Sequence, residues 1–259
     1  MMLKNKKGII FGIANDHSIA WGIAKKLKEN GAKLAVTYQN EMLFKRVKPL
    51  SEELNSDLLV ECDFSNKNSI KDCFIKLKSK WDNIDFVVHA AAFSDKKELD
   101  GEYIDTSKNN FINSLNISCY SFTEISKYAS EMMVNGGSLL TLSFYGANKV
   151  MPNYNVMGVA KAALETSVKY LSVDLGSKNI RVNAISSGPM RTIAGAAIAN
   201  AREVYKYTEK NSPLKRNVLL SEIGDSALYL VSDLSKAVSG EIHYVDCGFN
   251  IVGMPKNKD

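Results

Sequence analysis

The sequence predicts an α/β protein: one doubly wound domain over residues 1–259, with a parallel seven-stranded sheet and helices on both faces. Three observations carry this. Seven short apolar runs alternate with longer stretches of helical period. The runs Ile9-Ile10-Phe11 and Phe86-Val87-Val88 are apolar without alternation, as strands covered on both sides are. Strand–helix–strand units of this length close through right-handed crossovers, which makes neighbouring strands parallel.

The first strand runs over Lys7–Ala14 and the first helix over Ser18–Asn30, with Gly31 where a left-handed C-cap residue belongs. Strand Lys33–Gln39 leads to helix Glu41–Leu54, and strand Leu58–Asp63 to helix Asn66–Trp81. Strand Asp85–Ala92 precedes one long helix over Ser107–Asn135. Strand Ser138–Phe144 precedes helix Tyr154–Gly176, with Gly176 at its end. Strand Ile180–Ser186 then leads to helix Thr192–Asn211. Helix Ser221–Ser232, with Ser221 as its N-cap, and strand Glu241–Asp246 close the series. No linker, composition shift or internal repeat divides the chain.

Composition narrows the function classes. Hydrophobic residues at 45% against 24% charged residues exclude a disordered chain. Cys62, Cys73, Cys119 and Cys247 lie too far apart for a disulfide framework or a zinc ribbon, and three histidines do not suggest a metal cage. No metal site is expected, and a reducing cytoplasm is the expected location. No apolar run approaches the ~18 residues of a membrane span. Lys4, Lys6 and Lys7 precede a short apolar stretch, but it stops at Asn15-Asp16-His17 without a small-residue cleavage site, unlike a signal peptide. A net charge of +5 without a basic block suggests neither a nucleic-acid nor a membrane partner.

Cofactor chemistry enters after the first strand, at Gly12-Ile13-Ala14-Asn15-Asp16-His17-Ser18-Ile19-Ala20-Trp21-Gly22. In a dinucleotide-binding Rossmann domain, a glycine at the strand end lets backbone approach a pyrophosphate, and helix N-terminal amides meet its charge. Gly12 suits the first task and the helix opening at Ser18 the second. Gly22 would then pack that helix on the sheet. The second strand ends at Gln39, which can hydrogen-bond a ribose but brings no positive charge for a 2′-phosphate, so NADH is favoured over NADPH. Lys45 and Arg46 lie slightly further on. Asp63-Phe64 ends the third strand, where a carboxylate can accept from an adenine amino group or, as readily, cap the following helix.

The catalytic candidates lie seven residues apart, Tyr154 and Lys161, two helical turns and therefore on one face. An ammonium near a phenol stabilises its ionised form, and the pair can serve an oxygen that becomes anionic during hydride transfer. Lys161 can also hold nicotinamide ribose hydroxyls. The plain alternative is a tyrosine that starts a helix and a lysine on its wet face.

Gly12…Ser18-Ile19-Ala20, Tyr38-Gln39-Asn40, His89…Phe93, Tyr154-Asn-Val-Met-Gly-Val-Ala-Lys161, the stretch Arg181–Thr192 and Ser239-Gly-Glu…Val245-Asp246 together carry a resemblance. It is to the NADH-dependent enoyl-[acyl-carrier-protein] reductases of type II fatty-acid synthesis, a divergent branch of the short-chain dehydrogenase/reductases. Its most specific element is the Tyr-x6-Lys spacing, since ordinary members of the superfamily use Tyr-x3-Lys, which here would fall on Met157. The resemblance implies hydride transfer from NADH to the β-carbon of a trans-2-enoyl thioester, with Tyr154 stabilising the enolate. It implies cofactor contacts at Gly12, Ser18, Ile19, Gln39, Asp63, Phe64, Ala91, Lys161, Met190, Arg191, Thr192, Ile193 and Ala194, and substrate contacts at Ser94, Phe144 and Tyr154. It also implies an acyl carrier protein partner, a homotetramer and a substrate-covering flap about residues 190–211.

Two departures keep other readings open. The family usually has a second tyrosine where this chain has Phe144, with Tyr145 beside it. The expected basic stripe, Arg202, Lys206 and Lys210, is interrupted by Glu203 and Glu209. A reductase of non-carrier carbonyl or enoyl substrates, or a silent dinucleotide-binding paralogue, are the alternatives. Thr192, after the chain-breaking Gly188-Pro189, suits a helix cap. His89 reads as a buried, satisfied strand histidine and His17 as a solvent-facing loop residue.

Overall fold

The computed structural model describes residues 1–196 and 198–255. Strands β1 (Lys7–Phe11), β2 (Lys33–Tyr38), β3 (Leu58–Glu61), β4 (Phe86–His89), β5 (Gly137–Phe144), β6 (Ile180–Ser187) and β7 (Ile242–Val245) form one sheet in the order β3-β2-β1-β4-β5-β6-β7. Every ladder is parallel. The winding runs outward from β1 in both directions, so consecutive loops part at the carboxyl ends of β1 and β4 and open a crevice there.

Helices α1 (Ile19–Glu29), α2 (Glu41–Glu53), α3 (Ser69–Lys80), α4 (Lys108–Leu115), α5 (Ser121–Met132), α6 (Asn155–Gly176), α7 (Ile193–Ala196), α8 (Ala201–Asn211) and α9 (Leu220–Val231) complete the chain. Strand alternation sorts the core into two. Ile9, Phe11, Val87, Leu139 and Val182 meet Phe74, Phe122, Ile125 and Leu164 under α3, α5 and α6. Ile10, Val36, Val88, Leu140 and Ile185 meet Ile23, Val47 and Ile223 under α1, α2 and α9. Both faces of the sheet are therefore covered, which is why its strands lack a polar side.

Several expectations are corrected. The strand readings overran the ladders at their carboxyl ends: Gly12–Ala14, Gln39 and Ala90–Ala92 are loop. The long helix over Ser107–Asn135 is α4 and α5 joined through a wider π turn at Asn116–Tyr120, and it ends at Met132. The helix over Thr192–Asn211 is two, α7 and α8, and Asn200 before α8 adopts a left-handed φ of 58°. Ser221 lies inside α9; the backbone N–H of Leu219 at the N-cap donates instead to the Glu222 carboxylate at 2.8 Å. Gly22 packs α1 on α9 rather than on the sheet, for a Cβ there would meet Leu220 at 3.0 Å. Gly31 is left-handed as expected, and α6 ends at Gly176. Among the described residues, no helix is long and apolar enough to cross a membrane.

Candidate active site

At the exit of β1, Gly12 has a φ of 101°, and a Cβ there would lie 2.4 Å from the Ala90 carbonyl oxygen. Two strand exits thus meet backbone to backbone, with half-buried Ala91 alongside. The following loop folds on Ser18, whose hydroxyl accepts from the amides of Ala14 and Asn15 at 3.0 Å each and donates to Asn15 Oδ1 at 3.1 Å. The Ser18 side chain therefore closes the loop rather than capping α1. Ile19 is half-buried, and the first turn of α1 carries no acidic side chain, which leaves its positive end uncompensated.

Gln39 Nε2 donates to Asp63 Oδ1 at 3.1 Å, and the same oxygen accepts from the Ser65 amide and hydroxyl. Asp63 caps no helix, since α3 begins six residues later. Phe64 stacks on His89, with centroids 5.7 Å apart and planes 16° off parallel. His89 is buried between Thr141 and Ser121, each 2.8 Å from a ring nitrogen. Burial first, and the charge of Lys161 second, hold it down to about 3, a neutral structural imidazole. His17 is exposed.

The other half of the site is a wedge between α6 and the end of β5. Tyr154, the residue before α6, is buried among Leu99 and Met157 with Phe144, Met151 and Ile198 around it. Its ring meets Phe144 edge-on at 5.0 Å and packs against Gly146, where a Cβ would come within 2.5 Å of Cδ1. Asn153 and Asn155 on either side of it are both left-handed, with φ of 59° and 38°. Asn153 donates to the Ala199 carbonyl at 3.0 Å and Asn155 to the Gly101 carbonyl at 3.2 Å, so the turn is tied to both neighbouring loops.

Lys161 is buried too, and its Nζ donates to the Leu142 carbonyl at 2.6 Å. The wet-face alternative is excluded. Burial pulls the amine down to about 8, with Cys119 and Glu165 opposing. Tyr154 moves the other way from the sequence expectation: burial, then the charge of Glu165, raise its phenol well above the ordinary value. It is a neutral donor rather than a phenolate.

Ser94 exchanges hydrogen bonds with the buried side chain of Asn110, at 3.1 and 3.3 Å. Tyr145 begins a short turn after β5 and packs on Phe249, so it does not stand in for a tyrosine at Phe144. Thr192 Oγ1 accepts from the Gly195 amide at 2.9 Å, the cap its position suggested. Met190 is half-buried and Ile193 exposed, while Arg191 lies over the Tyr205 ring at 4.6 Å. Ala194 sits in α7, its side chain outside the described residues, as is Ala197 of the expected flap. Arg202, Lys206 and Lys210 are exposed beside Glu203 and Glu209.

The family model for enoyl-(acyl carrier protein) reductase matches residues 12–250. The chain belongs to that family. Among enoyl-(acyl carrier protein) reductases it is 58% identical to the "Enoyl-[acyl-carrier-protein] reductase [NADH] 2" of Rhizobium meliloti, over 98% of this chain and 95% of that one. The crystal structure of the Anaplasma phagocytophilum reductase in complex with NAD superposes with a TM-score of 0.96 at 54% identity, covering 99% and 98% of the two chains. The Bacillus cereus reductase with NADP+ and an indole naphthyridinone also reaches 0.96, at 42% identity over 98% and 99%.

Sequence reasoning missed three groups in this reductase. Glu165 is a buried carboxylate beside the pair. Ser118, in the π turn, holds both the amide and the carbonyl of Phe93. The flanking asparagines carry a signal that was there to be read, since Asn is the non-glycine residue most tolerant of a left-handed backbone.

Proposed function

We propose that this chain reduces trans-2-enoyl thioesters on acyl carrier protein with NADH, the last step of a fatty-acid elongation cycle. The observation that carries the reading is the burial of both Tyr154, at the N-cap of α6, and Lys161, within it, at the carboxyl edge of the sheet in a chain of this family. The residues present fit NADH. The acid-free first turn of α1 suits a pyrophosphate, Gln39 and Asp63 offer acceptors for the adenosine, and the Gly12–Ala90 contact lets the backbone pass without a side chain. Gly12, Ser18, Ile19, Gln39, Asp63, Phe64, Ala91, Lys161 and Met190–Ala194 would hold it. When bound, NADH supplies the hydride.

The chain's own part is electrostatic. Tyr154, neutral and desolvated, donates a hydrogen bond to the thioester oxygen, and that bond strengthens as enolate charge builds. Lys161 orients the ribose and sets the field beside the phenol. Phe144 and Ser94 line the acyl side. With Phe144 at the end of β5, that wall is an aromatic ring without a hydroxyl.

The segment about residues 190–211 is the covering flap, supported by Ile198 against the Tyr154 cluster, and Arg202, Lys206 and Lys210 face the carrier. A homotetramer is supported by Ile112, Tyr120, Tyr170 and Val173, exposed apolar side chains on α4, the π turn and α6. The test is NADH absorbance during incubation with crotonyl-coenzyme A and with crotonyl-carrier protein. Consumption with both, faster with the carrier, is expected; none with either overturns the reading.

A further inference from the structure

Glu165 is a buried carboxylate for which the reaction above has no task. It stands on α6 four residues past Lys161, one helical turn further from Tyr154, and is 8% exposed. Its Oε1 accepts from the Ser143 hydroxyl at 2.6 Å and its Oε2 from the Asn148 amide at 3.0 Å. The same amide nitrogen also donates to the Tyr244 hydroxyl at 3.0 Å. Among the described residues no cation reaches salt-bridge distance of it. Carboxylates are rarely buried without an ionic partner, because desolvation costs several kcal/mol.

Its neighbours show what it serves. Three consecutive residues at the end of β5 are each held by a different residue of α6 or its N-cap. The Leu142 carbonyl is held by Lys161, the Ser143 hydroxyl by Glu165 and the Phe144 ring by Tyr154. We propose that Glu165 is a positioning residue for the Tyr154–Lys161 pair, pinning β5 through Ser143 and supplying the buried negative charge against which Lys161 stays an ammonium. The inference rests on that pair being the catalytic one.

The charge argument has a definite sign. Lys161 titrates at about 8, so its ammonium is present below that pH and lost above it. Removing the carboxylate lets desolvation act with less opposition, and the loss moves to lower pH. The other titratable groups facing the pair are the Cys119 thiol on the π turn and neutral His89 on β4. Tyr244 on β7 reaches Glu165 through the shared Asn148 amide, and its phenol feels the charges of Glu165, Asp246 and Tyr145.

The decisive variant is Glu165→Gln, which keeps the shape and removes the charge. Steady-state rates with crotonyl-coenzyme A, and NADH affinity by fluorescence, are taken from pH 6 to 9.5 against the wild type. The alkaline limb of both should move down by about half a unit to one unit. The rate at pH 8.5 should fall about threefold to eightfold, with kcat at pH 6.5 within about twofold. A uniform loss with the limb unmoved would mean a merely structural role and overturn the proposal, as would an unchanged profile. If Glu165→Gln does not fold, Glu165→Asp keeps the charge and withdraws its reach to Ser143, so kcat should fall at every pH with the limb within about 0.3 unit of the wild type; a limb displaced downward there, or an unchanged kcat, overturns the proposal. A wild type that binds NADH but reduces no enoyl thioester defeats the catalytic reading alone, because the binding limb still reports on Glu165.

Discussion

The two halves of the site are built by opposite means. On the cofactor side, loops are tied by short-range bonds: Ser18 holds amides three and four residues back, and Asp63 holds Ser65 two residues on. On the catalytic side, Lys161 and Glu165 grip β5 across 19 and 22 residues of chain, and both are buried. The first half is held open for a large ligand by local geometry. The second is a wedge in low dielectric, where each charge acts at close to full strength. Binding and chemistry are therefore separable by mutation.

Tyr154→Phe tests that separation with the largest expected effect. The phenol acts only where charge develops, so its loss should lower kcat by about 10²–10³, while NADH affinity stays within about threefold. A parallel fall in affinity would mean that the wedge also builds the cofactor pocket, and the division would fail. Stopped-flow single turnovers with NADH fluorescence read both quantities.

His89 joins the halves, stacked on Phe64 from one and bonded to Thr141 beneath the other. Its folded form is neutral down to about 3, whereas an unfolded histidine titrates near 6.5. The unfolded state thus binds more protons between those values. Stability is full above about 6.5 and drains as pH falls, on the order of 4 kcal/mol by pH 3. In His89→Gln the urea midpoint between pH 6.5 and 4.5 should depend less steeply on pH. An equal slope in both proteins would place the acid sensitivity elsewhere.

The same contrast explains what the sequence could show. Gly12, Ser18, Gln39 and Asp63 belong to local patterns at strand exits, and the fold brings those exits together as expected. Overrun strand ends are part of the same signal: Gly12–Ala14 and Ala90–Ala92 continue the apolar runs of β1 and β4, but belong to the loops around the crevice rather than to ladders. Glu165 was hidden because Ala162-Ala163-Leu164-Glu165 reads as a helix with a solvated acid, and only the packing of α6 on β5 buries it. The break at Asn200 was masked by an alanine-rich stretch of high helix propensity. The expected help of the ammonium to the ionised phenol is not what sets Tyr154, for a reason no spacing contains: burial and the charge of Glu165 both favour the neutral form.

The smallest effect belongs to Ser18, and it sharpens the comparison most. Its hydroxyl makes three hydrogen bonds within the loop that leads from β1 to α1. In Ser18→Ala two half-buried backbone amides lose their acceptor, and with water reaching part of them the net cost is about 1 kcal/mol. That cost falls on the order of the loop before NADH arrives, and NADH affinity should weaken about fivefold. Tyr154 and Lys161 are held from the opposite side of the crevice by contacts that this change does not touch, so kcat at saturating NADH should stay within about twofold. Titration by fluorescence alongside saturated turnover gives both numbers. If kcat falls as far as affinity, the loop helps to orient the reacting ring, and the two halves act as one device.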